Sequence, residues 1–152
     1  MSNTHTLAVA ESLTGGLVGD IFVSSQGASK FFKGGIIAYS LPIKHEMLKV
    51  DYDLLDKSNG VSEEVCKEMA GNVALIFKAD YGLATTGYAE EGKEPFRLTE
   101  DRYAYVSLCD ALNMKSYTTI VLARPSEDRN GFRLHVAKVA EFIWNNRLGL
   151  LR

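Results

Sequence analysis

The residue types with the most chemical reach are a serine in a glycine-rich turn and a lysine early in a later helix. Ser12 lies in Leu7-Ala8-Val9-Ala10-Glu11-Ser12-Leu13-Thr14-Gly15-Gly16, where a short apolar run stops abruptly. An apolar-periodic segment with Leu17, Val18, Ile21 and Phe22 follows. The pattern predicts strand, tight turn and helix, the helix running from about Thr14 to Val23. A hydroxyl at such a turn sits at the rim of a sheet near the positive end of a helix, where developing negative charge is stabilised. Ser12 and Thr14 are also good N-cap residues, and local spacing alone favours that role. Lys44 falls in the first turn of a helix for which Ser40 is a cap candidate and in which Pro42 is tolerated. A neutral lysine can take the proton of a serine hydroxyl and so drive amide hydrolysis without histidine. Helix position and burial both disfavour the charged amine. Taken singly, Lys44 reads as a solvated surface lysine and Tyr39 as a half-buried core tyrosine with a satisfied hydroxyl.

Two further groups bear on chemistry. Thr85-Thr86-Gly87 ends a predicted strand at Tyr81–Gly87 and converges with Ser12 and with Tyr39 and Lys44 at strand ends. Arg129 and Arg133 are four apart and share one face near a helix N-terminus. Their guanidinium forks suit a phosphate or carboxylate; salt bridges to Asp128 or Glu127 are an equal alternative.

These groups need a scaffold. A short strand is expected at Ile36–Tyr39, with Gly34 and Gly35 letting the backbone turn into it. A short helical turn is expected over Asp51–Ser58, ended by Asn59-Gly60. Ser62 is a strong N-cap candidate for a helix striped by Val65, Met69, Val73, Ile76 and Phe77, in which Gly71 marks close packing. The segment Tyr88–Arg102 is a long polar loop, and such loops are often functional. Strands at Tyr103–Cys109 and Tyr117–Ala123 follow as a hairpin, then a helix over about Asn130–Arg147 with Phe132, Val136, Val139, Ala140, Ile143 and Trp144 inward. The architecture this predicts is α/β: a three-layer α/β/α sandwich with a mixed sheet, one domain over residues 1–152.

Composition narrows the classes. The net charge is -2, which gives no electrostatic footprint for nucleic acid or an anionic membrane. His5, His45 and His135 are isolated, so no zinc-type spacing exists and no metal is expected. Cys66 and Cys109 read as buried free thiols. Met1–Thr6 is a polar lead-in without the apolar core of a signal peptide, and no run approaches membrane-spanning length. The expectation is a cytoplasmic enzyme or binding domain.

Taken together, five blocks resemble the C-terminal domain of the competence-damage-inducible protein CinA, a family that includes stand-alone nicotinamide-nucleotide amidases. Ala10-Glu11-Ser12-Leu13-Thr14-Gly15-Gly16 is similar to its A-E-S-C-T-G-G signature. Lys33-Gly34-Gly35-Ile36-Ile37-Ala38-Tyr39-Ser40, with Lys44 beyond, resembles the next block. Gly60-Val61-Ser62-Glu63-Glu64-Val65, Thr86-Gly87-Tyr88-Ala89 and Asp128-Arg129 with Arg133 resemble its G-V-S-x-E-x-V, T-G-x-A and D-R-x-x-I-R segments.

The resemblance implies the family's α/β/α sandwich. It also implies hydrolysis of nicotinamide mononucleotide to nicotinic acid mononucleotide and ammonia, without metal or organic cofactor. Ser12 would be nucleophile, Lys44 general base, and Tyr39 would orient the lysine or relay a proton. Backbone N–H groups of Thr14, Gly15 and Gly16 would help hold the oxyanion, and Thr86 and Gly87 would contact substrate. Arg129 and Arg133 are assigned to the phosphate on charge geometry. The partner would be a small pyridine nucleotide, with self-association into a dimer or higher oligomer.

Two departures stand out: Leu13 replaces the signature cysteine, and Glu90-Glu91-Gly92-Lys93-Glu94-Pro95 replaces a Gly-Pro-Gly-rich turn. Acidic side chains there would repel a phosphate. The alternatives are therefore an inactive relative that binds a nucleotide or protein partner, or an amidase for a different small carboxamide.

Overall fold

The computed structural model describes residues 4–152; Met1–Asn3 of the polar lead-in lie outside the described residues. The strands are β1 (Leu7–Glu11), β2 (Phe32–Ile37), β3 (Tyr81–Tyr88), β4 (Tyr103–Asp110) and β5 (Lys115–Leu122). The helices are α1 (Leu17–Val23), α2 (Leu41–Leu48), α3 (Tyr52–Ser58), α4 (Glu63–Phe77), α5 (Arg129–Asn145) and the short α6 (Arg147–Leu150). The sheet order is β2-β1-β3-β4-β5. β1 pairs in parallel with β2 and β3, and the β3–β4–β5 pairs are antiparallel. The sheet is thus mixed, as its late hairpin predicts.

The chain leaves β1 toward β2 through α1 and returns past β1 to β3 through α2, α3 and α4. Right-handed crossovers run in opposite directions put their helices on opposite faces, which makes three layers. One core joins Leu7, Val9, Leu83, Val106 and Leu108 to Phe22, Phe132, Val136 and Trp144. The other joins Ala8, Ala10 and Ala84 to Leu48, Leu55, Val65, Met69 and Val73. The small residues on this second face let α4 lie close to the strands: a Cβ on Gly82 would fall 1.8 Å from the Ala70 carbonyl oxygen. Gly71, expected at the close contact, has only ordinary contact with Cys109 Sγ.

Two boundaries move for physical reasons. α1 begins at Leu17 rather than Thr14, because Gly15 and Gly16 take φ of 55° and 108°, outside the helical region. β2 contains Gly34 and Gly35 rather than following them; Val9 fills the space where a Gly35 side chain would stand. Ser62 caps α4 as expected, accepting from Val65 N at 3.1 Å, but Ile76 is exposed. Cys66 and Cys109 are free, Cys66 buried and Cys109 half-buried. Among the described residues, no helix is long and apolar enough to cross a membrane, and no group of three or more His, Cys, Asp or Glu is placed to hold a metal.

Candidate active site

With β2 on one side of β1 and β3 on the other, the crevice beyond the C-terminal ends of β1 and β3 is the switch point where open α/β sheets bind ligands. Strand alternation decides what faces it. Ala8, Ala10 and Ser12 fall on the α4 face, while Leu7, Val9, Glu11 and Leu13 fall on the other. Ser12 therefore emerges in the layer of α2, where Lys44 is. The N-cap hydroxyl of Ser40 accepts from Ile43 N at 3.4 Å and starts α2 so that Lys44 points inward.

Lys44 is 3% exposed and Ser12 5% exposed. Lys44 Nζ donates to Ser12 Oγ at 2.8 Å and to the Tyr39 carbonyl oxygen at 2.9 Å. Burial pulls the amine down from its ordinary value to about 8. Burial in turn pushes the Cys66 thiol up, which leaves it protonated and inert. A neutral amine that gives one N–H to the Tyr39 carbonyl keeps its lone pair for the Ser12 hydroxyl proton. The solvated-lysine role is thereby replaced. Tyr39 is 63% exposed and also lines the cavity over the Ser12–Lys44 pair, so it is not a core tyrosine; the atom it offers Lys44 is its carbonyl oxygen, not its hydroxyl.

A cavity of about 340 Å³ opens over this pair, lined by Ser12, Lys44, Asn59, Val61, Thr86, Gly87 and Tyr88, among others. Thr86 and Gly87 are thus brought to Ser12. The Thr86 hydroxyl donates to the Gly60 carbonyl at 2.6 Å and so ties the α3–α4 turn to β3. The Tyr88 hydroxyl is buried beside Asn59 in the cavity wall.

Thr14, Gly15, Gly16, Arg129 and Arg133 do not line the cavity. Thr14 is buried, its hydroxyl 2.8 Å from Thr85 Oγ1, which also accepts from Ser12 N at 3.4 Å. Thr85, part of the Thr85-Thr86-Gly87 strand end expected to converge on Ser12, does so through its hydroxyl, on the α5-side face that alternation from Leu83 assigns to it. Gly15 N donates to the Ser12 carbonyl at 3.1 Å.

Neither Ser12 nor Thr14 caps α1. The buried Glu11 carboxylate accepts from Gly16 N at 3.2 Å, Val18 N at 2.9 Å and Gly19 N at 3.0 Å. The positive end of α1 is therefore already filled by the protein's own anion.

Arg133 Nε donates to the Leu13 carbonyl at 2.7 Å, Nη2 to the Thr14 carbonyl at 3.2 Å and Nη1 to Asn130 Oδ1 at 3.1 Å. Arg129 pairs at 2.6 Å with Glu90, not with Asp128 or Glu127. Asp128 instead caps α5, accepting from Gly131 N at 2.7 Å.

The segment from Ala89 to Arg102 winds around Arg97. That guanidinium donates to the carbonyls of Glu90, Thr99 and Asp101 at 2.8, 3.2 and 3.0 Å and stacks over the Tyr88 ring at 4.0 Å.

Sequence and fold comparisons agree with this architecture. A CinA-like protein of Amoebophilus asiaticus is 45% identical over 91 residues, 60% of this chain and 22% of that protein. A CinA-like protein of Synechococcus sp. is 46% identical over 88 residues, 58% of this chain and 21% of that protein. The chain thus spans under a quarter of the length of these relatives. The competence damage-inducible protein A of Klebsiella pneumoniae superposes with a TM-score of 0.88 at 19% identity, covering 99% of this chain and 91% of that one. The competence or damage-inducible protein of Enterobacter asburiae does so at 0.81 and 24% identity, covering 97% and 88%; at these identities the likeness is one of fold. The CinA C-terminal domain family model matches residues 1–140, and the chain belongs to that family.

Proposed function

We propose that this chain is a serine–lysine amidase acting on the carboxamide of nicotinamide mononucleotide. The observation that carries the reading is the buried Lys44 amine, 2.8 Å from Ser12 Oγ, in a cavity at the sheet's switch point. The Ser12 proton passes to neutral Lys44 as Oγ attacks the carboxamide carbon. The tetrahedral oxyanion collapses, the lysine proton goes to the departing nitrogen, and ammonia leaves an ester on Ser12. Lys44 then deprotonates a water that attacks the ester, giving the free acid and restoring the hydroxyl. Thr86, Gly87 and Tyr88 border the substrate, and Arg129 meets the phosphate.

The test is ammonia release from nicotinamide mononucleotide by wild type, Ser12→Ala and Lys44→Met across a pH series. Wild-type kcat/KM should rise with pH through about 8 and level off above it, because only the neutral amine is a base. Each variant should lose at least about 10³-fold. Full rate in Ser12→Ala rejects the nucleophile.

One observation favours a second reading. Arg133 is committed to carbonyls, Arg129 to Glu90, and neither lines the cavity. A substrate without phosphate, another small carboxamide, would fit that arrangement. Comparable kcat/KM for nicotinamide riboside and its mononucleotide would select it. Binding without turnover of any pyridine carboxamide would instead mark a non-catalytic relative.

A further inference from the structure

We propose that Arg133 is a positioning residue for the acyl-transfer step, a clamp that sets the oxyanion donors of the Ser12 turn, and not a phosphate ligand. The inference rests on the amidase reading above.

Its basis is the orientation of successive peptide planes after the nucleophile. The Ser12 carbonyl accepts from Gly15 N. The Leu13 carbonyl accepts from Arg133 Nε, and the Thr14 carbonyl from Arg133 Nη2. In a planar trans peptide the N–H lies antiparallel to the C=O. Fixing the Ser12 and Leu13 carbonyls therefore aims the N–H groups of Leu13 and Thr14. These two N–H groups make no hydrogen bond among the described residues, whereas those of Gly15 and Gly16 are spent on Ser12 O and Glu11. Among the described residues, the N–H groups of Leu13 and Thr14 are the two in this turn left unspent beside Ser12.

The direction also fits. Arg133 approaches from α5, on the face of Leu13, while Ser12 Oγ and Lys44 lie on the opposite face. A Leu13 carbonyl drawn toward α5 turns the Thr14 N–H away from α5, toward the nucleophile's side. Unclamped, that peptide can rotate and present its carbonyl to the developing negative charge. The turn is shaped for the guanidinium as well: a Cβ on Gly15 would stand 2.9 Å from Arg133 Nη2. Asn130 Oδ1 steadies the remaining terminal nitrogen from within α5.

The experiment compares wild type, Arg133→Ala and Arg133→Lys on nicotinamide mononucleotide and on nicotinamide riboside. Adduct formation with pyridine-3-boronic acid, followed by ¹¹B NMR, gives a readout independent of turnover, because the boronate becomes tetrahedral on Ser12. The clamp predicts that Arg133→Ala lowers kcat about 10²-fold, the size of one lost oxyanion donor. KM should stay within about twofold, the factor should be the same for both substrates, and boronate affinity should fall in parallel. Added methylguanidine should restore part of kcat. If Arg133→Ala does not fold, Arg133→Lys carries the test, since one ammonium can hold one carbonyl and should give an intermediate kcat. A rise in KM confined to the phosphorylated substrate would make Arg133 a phosphate contact and overturn the clamp, as would unchanged kcat. In both cases the amidase reading survives. Wild type inert toward both amides and the boronate would remove the amidase reading itself, and the clamp with it.

Discussion

The turn after β1 and the segment between β3 and β4 lie at the same end of the sheet, yet they satisfy their polar groups in opposite ways. The turn draws on distant chain: Thr85, Lys44 and Arg133 come from β3, α2 and α5. The segment Ala89–Arg102 draws on itself, with Arg97 holding carbonyls no more than seven residues away. Among the described residues, few bonds join it to the rest of the molecule: Leu98 N donates to the Tyr103 hydroxyl at 3.0 Å, Ala123 N donates to the Arg102 carbonyl at 3.1 Å, and Glu90 meets Arg129. A turn built from tertiary bonds is rigid because the whole fold must open to release it. A locally wound loop can change sequence or conformation at little cost to the core. The fixed geometry thus sits in the first region, and the freedom to vary sits in the second.

The sharpest way to break this contrast is in the turn. Glu11 is 3% exposed and holds three backbone N–H groups. A glutamine there would place an NH₂ against one of those donors. Glu11→Gln should cost on the order of 3 kcal/mol, lowering Tm by about 10 °C in a domain of this size. It should also lower kcat, because Ser12 and the α1 start move together. Calorimetry beside an ammonia assay checks both, and a Tm shift under about 2 °C would mean that water can stand in for the carboxylate.

The matched change in the second region is Arg97→Ala. Its side chain is 4% exposed, as buried as that of Glu11. The carbonyls it serves lie on an exposed loop, where water can replace it. The loss should be about 1 kcal/mol, with proteolytic nicking inside Ala89–Arg102 accelerated about tenfold and kcat within about threefold of wild type. Limited proteolysis followed by mass mapping reads this directly. A collapse of Tm like that of Glu11→Gln would show the loop to be part of the core.

The sequence makes plain the features that depend on residue type and period. Ser62 and α4, the inner face of α5 and the hairpin follow from local spacing. Ser12 with Lys44 follows from the family resemblance, since taken singly the two residues read as a cap and a solvated lysine. What escapes it depends on backbone and on distant juxtaposition. Glu11 reaches Val18 and Gly19 only because Gly15 and Gly16 fold back with positive φ. Residue-type rules favour Ser12 or Thr14 as caps and do not anticipate a carboxylate ahead of the turn. Lys44 meets Tyr39 at its carbonyl, a group every residue has, so residue type does not announce that contact. Arg133 looks like an anion ligand until α5 is seen to pack beside the turn.

Glu90 tests how far the loop tunes what enters the site. Its carboxylate, 2.6 Å from Arg129, is largely exposed, so the pair adds little stability, under about 1 kcal/mol. Glu90→Gln should leave Tm within about 2 °C. It also removes a competitor for the Arg129 guanidinium, the remaining arginine assigned to a phosphate. KM for nicotinamide mononucleotide should then fall about two- to fivefold, while KM for the phosphate-free riboside should stay unchanged. The effect should shrink as salt is raised, because exposed charges about 10 Å apart are screened at 0.1 M ionic strength. Equal changes for both substrates would place the action of Glu90 on loop shape rather than on charge. No change for either would separate Arg129 from substrate altogether, and would leave the cavity wall of Thr86, Gly87 and Tyr88 as the determinant of what Ser12 attacks.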